Sequence, residues 1–332
     1  MKSLKFVKLS SGYQMPTMGL GTWQAKPEEI EIAVATALDN GYRHIDTAFN
    51  YNNEDAIGKS LKTWLNNGGN REELFITTKL PHYGNRASDV EKYLNWSLEK
   101  LKLDYVDMYL IHMPFAFISD DSRCAPRLNE DGSYKLDFES NPVSVWKEME
   151  GQVKTGKVRS IGLSNFNEKQ IDEIWNNSEI KPSNLQVELH AYHQQKSLRK
   201  FCASHNIVVT AYSPLASPGA KHHFQTKYNY NTKRFPDLLG HPIVDRIAKA
   251  HNKTTAQVLL RQLVQENIVV IPKSASPQRI ALNNNIYDFQ LSSDELAELD
   301  ELDRGAEGRI FTFLFFKGVE RHPLYPFRDE LI

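Results

Sequence analysis

Four side chains of this sequence have the types and spacing to protonate an oxygen. Asp46 closes the apolar run Arg43-His-Ile-Asp46 and Tyr51 follows five residues on; Lys79 closes Leu74-Phe-Ile-Thr-Thr-Lys79, and His112 closes Tyr105-Val-Asp-Met-Tyr-Leu-Ile-His112. A buried ammonium beside a carboxylate stays charged. A cation beside a phenol favours the phenolate, drawing the tyrosine from an ordinary pKa of about 10 toward neutrality. Tyr51 is then the expected general acid for the alkoxide oxygen that forms as a carbonyl is reduced, and a neutral His112 imidazole is expected to bond the same oxygen and orient the substrate. No metal is expected, because the chain has neither a His-Glu-x-x-His sequence nor clustered thiols. His222-His223 reads as a solvated pair.

Reduction also needs a hydride, for which a nicotinamide is the expected source. Asn165 and Gln186 could hold its carboxamide, and the face of Tyr212 offers a platform for the ring. Ser213-Pro-Leu-Ala-Ser217-Pro-Gly219 is a loop of hydroxyls and backbone N–H groups suited to a pyrophosphate. Further on, Ile271-Pro-Lys-Ser-Ala-Ser-Pro-Gln-Arg279 leads into a helix start and carries Lys273 and Arg279, charge enough for an extra phosphate. NADP(H) fits that pattern better than NAD(H).

These residues need a frame that brings them to one place. Eight short runs rich in Ile, Val, Leu and Tyr recur, beginning with Met18-Gly-Leu-Gly21 and ending with Ile268-Val-Val-Ile-Pro-Lys273, each followed by a stretch of helical period. In the first helical stretch Pro27 suits the opening turn, Glu28 and Glu29 its positive end, Ile30, Ala33, Val34, Ala37 and Leu38 one face, and Gly41 the stop. Ser88 with Glu91 predicts a capping box before Val90, Leu94 and Leu98. Alternating strands and helices imply a parallel sheet, and eight units in 332 residues imply an α/β (β/α)₈ TIM barrel in one domain spanning 1–332. A doubly wound fold would want Gly-x-Gly-x-x-Gly, and Gly19-Leu-Gly-Thr-Trp-Gln24 lacks the third glycine.

Four segments exceed the repeat: a hairpin over residues 5–18, a loop from about 113 to 141 after strand four, a long loop after strand seven, and an aromatic tail beyond about 304. Barrels of this kind carry their chemistry at the carboxyl ends of the strands. Those ends read Trp23, Asp46, Lys79, His112, Ser164-Asn165, Gln186, Tyr212 and Lys273-Ser274. Singly, each has an ordinary use as a cap, a solvated strand end or a core histidine; together they point to one rim. Trp23, Phe49, Met113 and Phe311 are the expected substrate contacts, the tail folding back as an apolar wall.

The balance of 40 basic and 41 acidic residues gives no field that would draw the chain to nucleic acid or an anionic membrane, so a small molecule is the expected partner. Two cysteines support no disulfide framework, and a charged start without an apolar run gives the expectation of a cytoplasmic protein.

The residues resemble the aldo-keto reductase superfamily, its aldose and aldehyde reductase branch in particular. The resemblance lies in Gly19-Leu-Gly-Thr-Trp23, Gly41-Tyr-Arg-His-Ile-Asp-Thr-Ala through Tyr51, Phe75-Ile-Thr-Thr-Lys79, Asp107-Met-Tyr-Leu-Ile-His112, Ile161-Gly-Leu-Ser-Asn-Phe166, Gln186-Val-Glu-Leu-His190, Ala211-Tyr-Ser-Pro-Leu215, Ile271-Pro-Lys-Ser274 and Tyr325-Pro-Phe327. It implies a monomeric barrel reducing aldehydes and ketones with NADPH, Tyr51 as proton donor, Asp46 and Lys79 tuning it, and His112 orienting the carbonyl. It also implies that Thr22, Ser164, Asn165, Gln186, Tyr212, Ser213, Leu215, Ser217, Lys273, Ser274, Arg279 and Asn283 hold the cofactor. Met113 and Pro81 stand where such proteins often carry tryptophan, Leu282 where an acidic residue is usual and Ala191 where proline is. A ketosteroid-type reductase, or a nicotinamide-binding protein with little turnover, are the alternatives; the intact His112 and the complete tetrad argue against each in turn.

Overall fold

The computed structural model describes residues 5–120, 124–229 and 235–330. The segments outside these include residues 121–123 of the loop expected after strand four and the last two residues of the tail. The hairpin is present as β1 (Phe6–Lys8) and β2 (Gln14–Pro16), with Val7 opposite Met15. The strands that follow are β3 (Gly19–Gly21), β4 (His44–Asp46), β5 (Phe75–Leu80), β6 (Val106–Ile111), a small antiparallel pair β7 (Ser119–Asp120) and β8 (Ala125–Pro126), then β9 (Val158–Ser164), β10 (Asn184–Glu188), β11 (Val208–Tyr212) and β12 (Val269–Val270). Without β7 and β8 they form one parallel sheet in chain order. Parallel bridges Met18–Val270 and Gly21–Lys273 join its two edges into a barrel.

That seam depends on a glycine. A Cβ on Gly21 would stand 2.5 Å from the Ile271 carbonyl oxygen, so a side chain there would force the last strand away. The last strand is shorter than the run Ile268–Lys273 suggested, because Pro272 has no N–H to give the ladder.

The helices are α1 (Pro27–Asp39), α2 (Glu54–Asn66), α3 (Val90–Leu101), α4 (Pro142–Lys154), α5 (Glu168–Asn177), α6 (Lys196–Ser204), α7 (Lys221–Tyr228), α8 (Pro242–Ala250), α9 (Thr255–Gln265), α10 (Pro277–Asn284) and α11 (Ser293–Asp300). In α1 the five residues predicted to face the core are the five that are buried. The capping box expected at α3 does not form. A 3₁₀ turn over Ala87–Asp89 leads into the helix, and Glu91 turns outward to Lys157 at 2.9 Å.

Inside the barrel, Val7, Leu9 and Met15 of the hairpin pack with Phe75, Met108, Leu110 and Val269. The amino end of the barrel is thereby stoppered, and the carboxyl ends of the strands are left to form the site. Among the described residues no helix is long and apolar enough to cross a membrane.

Candidate active site

Strand register decides which strand-end side chains meet. Asp46 lies opposite Gly21 on one side and Thr77 on the other, Gln186 opposite Ser164, and Glu188 opposite Tyr212. Lys79, with no exposed surface, donates from Nζ to Asp46 Oδ1 at 2.6 Å and to the Thr47 carbonyl at 2.8 Å. The other carboxylate oxygen, Oδ2, accepts from Gln186 Nε2 at 2.7 Å. Thr22 fixes the same strand end by donating its hydroxyl to the Asp46 carbonyl at 2.9 Å. Burial lowers the Lys79 pKa while the Asp46 carboxylate pulls the other way; the net direction is down.

Tyr51 ends a 3₁₀ turn, Phe49–Tyr51, and is half-buried at the rim. Lys79 Nζ stands 5.1 Å from its ring centroid, and the His112 ring lies 5.7 Å away at 71°. The phenol pKa is raised well above its ordinary value, first by burial, then by the Asp46 carboxylate and Tyr212. This corrects the expected shift toward neutrality. The Lys79 charge is already compensated by the carboxylate 2.6 Å away, so desolvation of the phenolate wins. The phenol therefore keeps its proton at neutral pH and can give it only to a stronger base, which an alkoxide is. Burial, then Lys79 and His82, hold the His112 pKa well below its usual value, so the imidazole is neutral.

The residues expected at a cofactor surround this group. Asn165, in the left-handed region at φ 65°, donates to the His112 carbonyl at 3.0 Å and to Ser164 Oγ at 3.1 Å, with Met113 Sδ at 3.3 Å; its Oδ1 accepts from the Tyr212 hydroxyl at 2.9 Å. Beyond β11 the loop turns through three more left-handed residues, Ser213, Ala216 and Ser217, and Ser217 Oγ donates to Ser213 Oγ at 2.6 Å; Leu215 is half-buried beside them. Non-glycine residues rarely adopt this region, and three within five residues mark a loop held in an uncommon shape.

Across the barrel seam, Ser274 Oγ accepts from the Ser276 N–H at 3.2 Å and Ser276 caps α10. Lys273 and Arg279 are exposed here, and neither has an ion-pair partner among the described residues. Desolvation, with a smaller contribution from Arg279, draws the Lys273 amine below its usual pKa against the pull of Glu29. Two adjacent cations without an ion-pair contact at a helix start suit a phosphate dianion, so the donor set fits an NADP-type cofactor. Asn283 is buried nearby, whereas Leu282 points outward and is 43% exposed.

An apolar wall rises over the same rim. Trp23 is half-buried, its ring 5.7 Å from Phe311 and 5.9 Å from Phe224, and Phe311 also lies 5.9 Å from Tyr212. Phe313 packs lower, on Phe115 and Phe327, and Phe315 on Phe224 and Tyr228. Two expectations need correction. Phe49 does not face the rim: it is buried against Tyr93 and Trp96 under the Lys100 ammonium, because the 3₁₀ turn that aims Tyr51 inward aims Phe49 at α3. His222 and His223 are not a solvated pair in a loop. They lie on α7, where His222 is exposed and His223 is half-buried with its ring 6.0 Å from Trp23.

Sequence reasoning passed over Phe224 and Glu188. The first sits on a helix inside an assumed loop. The second stands two residues after Gln186 and so shares its face of β10, a spacing that could have found it. A separate cavity of about 680 Å³ lies at the opposite end of the strands, near Tyr13, Arg159 and Lys181. Its cations are already occupied, Arg159 by Asp107 and Lys181 by the carbonyls of Trp175 and Ser178.

The Aldo/keto reductase family matches residues 17–304. The chain is 40% identical to the aldo-keto reductase family 1 member A1 of Xenopus tropicalis over 98% of each chain, and 40% identical to that of Bos taurus over 97% of this chain and 98% of the relative. Among solved structures, the aldose reductase from Schistosoma japonicum superposes with a TM-score of 0.86 at 40% identity, covering 99% of this chain and all of that one.

Proposed function

The chain belongs to the aldo/keto reductase family, and from that premise we propose that it reduces hydrophobic aldehydes and ketones to alcohols with NADPH, Tyr51 giving the proton. The observation that carries this reading is the meeting of the Tyr51 and His112 rings at 5.7 Å over the buried Lys79–Asp46 pair. NADPH, when bound, supplies the hydride that reduces the carbonyl carbon.

The rest is done by this chain's own groups. His112, neutral because it is buried near Lys79, bonds the carbonyl oxygen and fixes its direction without adding charge. Tyr51 holds a phenolic proton until that oxygen becomes basic, then transfers it and becomes a phenolate. Lys79, 5.1 Å from the ring centroid, then faces a negative charge that was absent before reaction, and Asp46 keeps the ammonium in place. A donor and a cation that act mainly on the charge that develops favour the transition state over the ground state.

On the cofactor side, Lys273, Ser274, Arg279 and Asn283 would hold the phosphate on the adenosine, Ser213, Leu215 and Ser217 the pyrophosphate, and Thr22, Ser164, Asn165, Gln186 and Tyr212 the nicotinamide end. Trp23, Met113 and Phe311 would meet the substrate. The reading is of one barrel domain acting as a cytoplasmic monomer on a small molecule.

The test is Tyr51→Phe, assayed by NADPH oxidation with an aromatic aldehyde and by NADPH fluorescence. Binding should persist while turnover falls by about 10²–10⁴. Turnover near the wild-type rate would rule out the proposed acid.

A further inference from the structure

Glu188 is the last residue of β10, and none of its side chain reaches solvent. Its Oε1 accepts the N–H of Ile310 at 2.7 Å and its Oε2 the N–H of Phe311 at 2.8 Å, with His190 Nε2 3.0 Å from Oε1. Burial alone would raise its pKa. The bond from His190 and the nearby His193 and Arg309 outweigh burial and hold it below the ordinary glutamate value, so the carboxylate is ionised.

Two consecutive amides on the two oxygens of one carboxylate fix both the position of the backbone and the direction in which the next side chain leaves it. The neighbouring residues allow little else. A Cβ on Gly308 would stand 1.7 Å from the Tyr192 carbonyl oxygen, so only glycine lets the tail lie this close to the end of the barrel. Arg309 is turned away into a two-point pair with Glu330, at 2.7 and 2.8 Å. The first ring that the clamped segment presents to the site is Phe311, against Trp23 and Tyr212.

We propose that Glu188 is a positioning residue for substrate selection: by clamping the Ile310 and Phe311 amides to the rim it sets where the Phe311 ring stands, and so which carbonyl compounds the apolar wall accepts. The proposal rests on the reading of the rim as a carbonyl site. It assigns Glu188 no contact with substrate and no part in proton transfer.

Glu188→Gln keeps the shape of the side chain but replaces one acceptor with an amide donor facing an N–H. Losing a bond to a charged acceptor should raise the KM for a bulky aromatic aldehyde about tenfold or more. The kcat, the NADPH affinity and the KM for a three-carbon aldehyde should stay within about twofold of the wild type, on the scale of a neutral substitution. In a Phe311→Ala background the same change should no longer alter the ratio of the two KM values. Equal losses for both aldehydes, or an undiminished effect in the Phe311→Ala background, would overturn the clamp.

Hydrogen exchange on the wild-type protein gives an arm that needs neither turnover nor a folded variant. The Ile310 and Phe311 amides should be among the slowest to exchange in the tail, and rapid exchange would overturn the proposal by itself. Failure of the wild type to reduce any carbonyl would instead remove the proposed function and leave the exchange result standing.

Discussion

Gln186 reaches across the barrel to Asp46, its Nε2 2.7 Å from the carboxylate oxygen that Lys79 leaves free. One buried carboxylate therefore ties the strand bearing the cation to the strand proposed to flank the nicotinamide. Its two oxygens accept from side chains contributed by β5 and β10.

Breaking that arrangement should cost stability before it costs anything else. Lys79→Met leaves the carboxylate buried without its cation, and removing one partner of a buried pair destabilises by about 3–5 kcal/mol. Urea unfolding should show the loss. An unchanged midpoint would mean that water or Gln186 compensates the charge, contrary to the packing described.

Three buried histidines contribute to the acid limb of stability. Burial holds His44 at about 4 and His82 at about 3, against 6.5 ordinarily, and holds His112 well below 6.5. Each is neutral in the fold and would take up a proton on unfolding below about pH 6.5, so the unfolded state binds more protons there and is favoured. Stability should be full above pH 6.5 and fall by several kcal/mol as the pH drops toward 4, each histidine that stays neutral in the fold costing about 1.4 kcal/mol for every pH step of one below 6.5. His44→Gln, if it folds, should flatten the fall between pH 6.5 and 4. A midpoint independent of pH across that window would contradict the burial of these rings.

The same directions shape the activity profile. With Tyr51 raised and His112 lowered, neither group changes charge between pH 6.5 and 9. The kcat for reduction should then be flat across that range. A break near 7 in kcat would show that a titrating acid other than these controls the proton.

Arg279→Ala should weaken NADPH by about 10- to 100-fold, the worth of one charge-assisted bond of roughly 1.5–3 kcal/mol, and leave NADH nearly unchanged. Fluorescence titration with both cofactors measures it directly. Equal losses would make the arginine a support for the loop.

Phe311→Ala should raise the KM for aromatic aldehydes several-fold, since removing about 100 Å² of apolar contact costs roughly 2.5 kcal/mol at most, and should spare the shortest aldehydes. A wild-type preference for glucose or xylose over an aromatic aldehyde would defeat the apolar wall outright.

The barrel was legible because its signal is repetitive: eight apolar runs with polar ends survive small errors at any one of them. The strand ends Asp46, Lys79 and His112 were placed by the same period. Phe49 was misplaced because nearness to Tyr51 in sequence says nothing of direction within a 3₁₀ turn, where adjacent residues point about a third of a revolution apart. The pKa of Tyr51 was misjudged in sign because the sequence reveals the cation but not how completely the carboxylate already compensates it. The spacing of Glu188 from Gln186 marks its face of β10, but its role escaped notice because its partners are backbone amides some 120 positions away, which no side-chain pattern announces.

The hairpin that stoppers the amino end, with Met15 wholly buried among Phe75, Met108, Leu110 and Val269, makes the barrel a cup and not a tube. Reactant and product must share one doorway. Every ring added to the wall there narrows the exit as much as the entrance, so a tail that grips a large aldehyde tightly will also detain its alcohol. If the proposed reduction holds, traffic through that one mouth joins the proton transfer beneath it in setting how apolar a substrate the protein can turn over quickly.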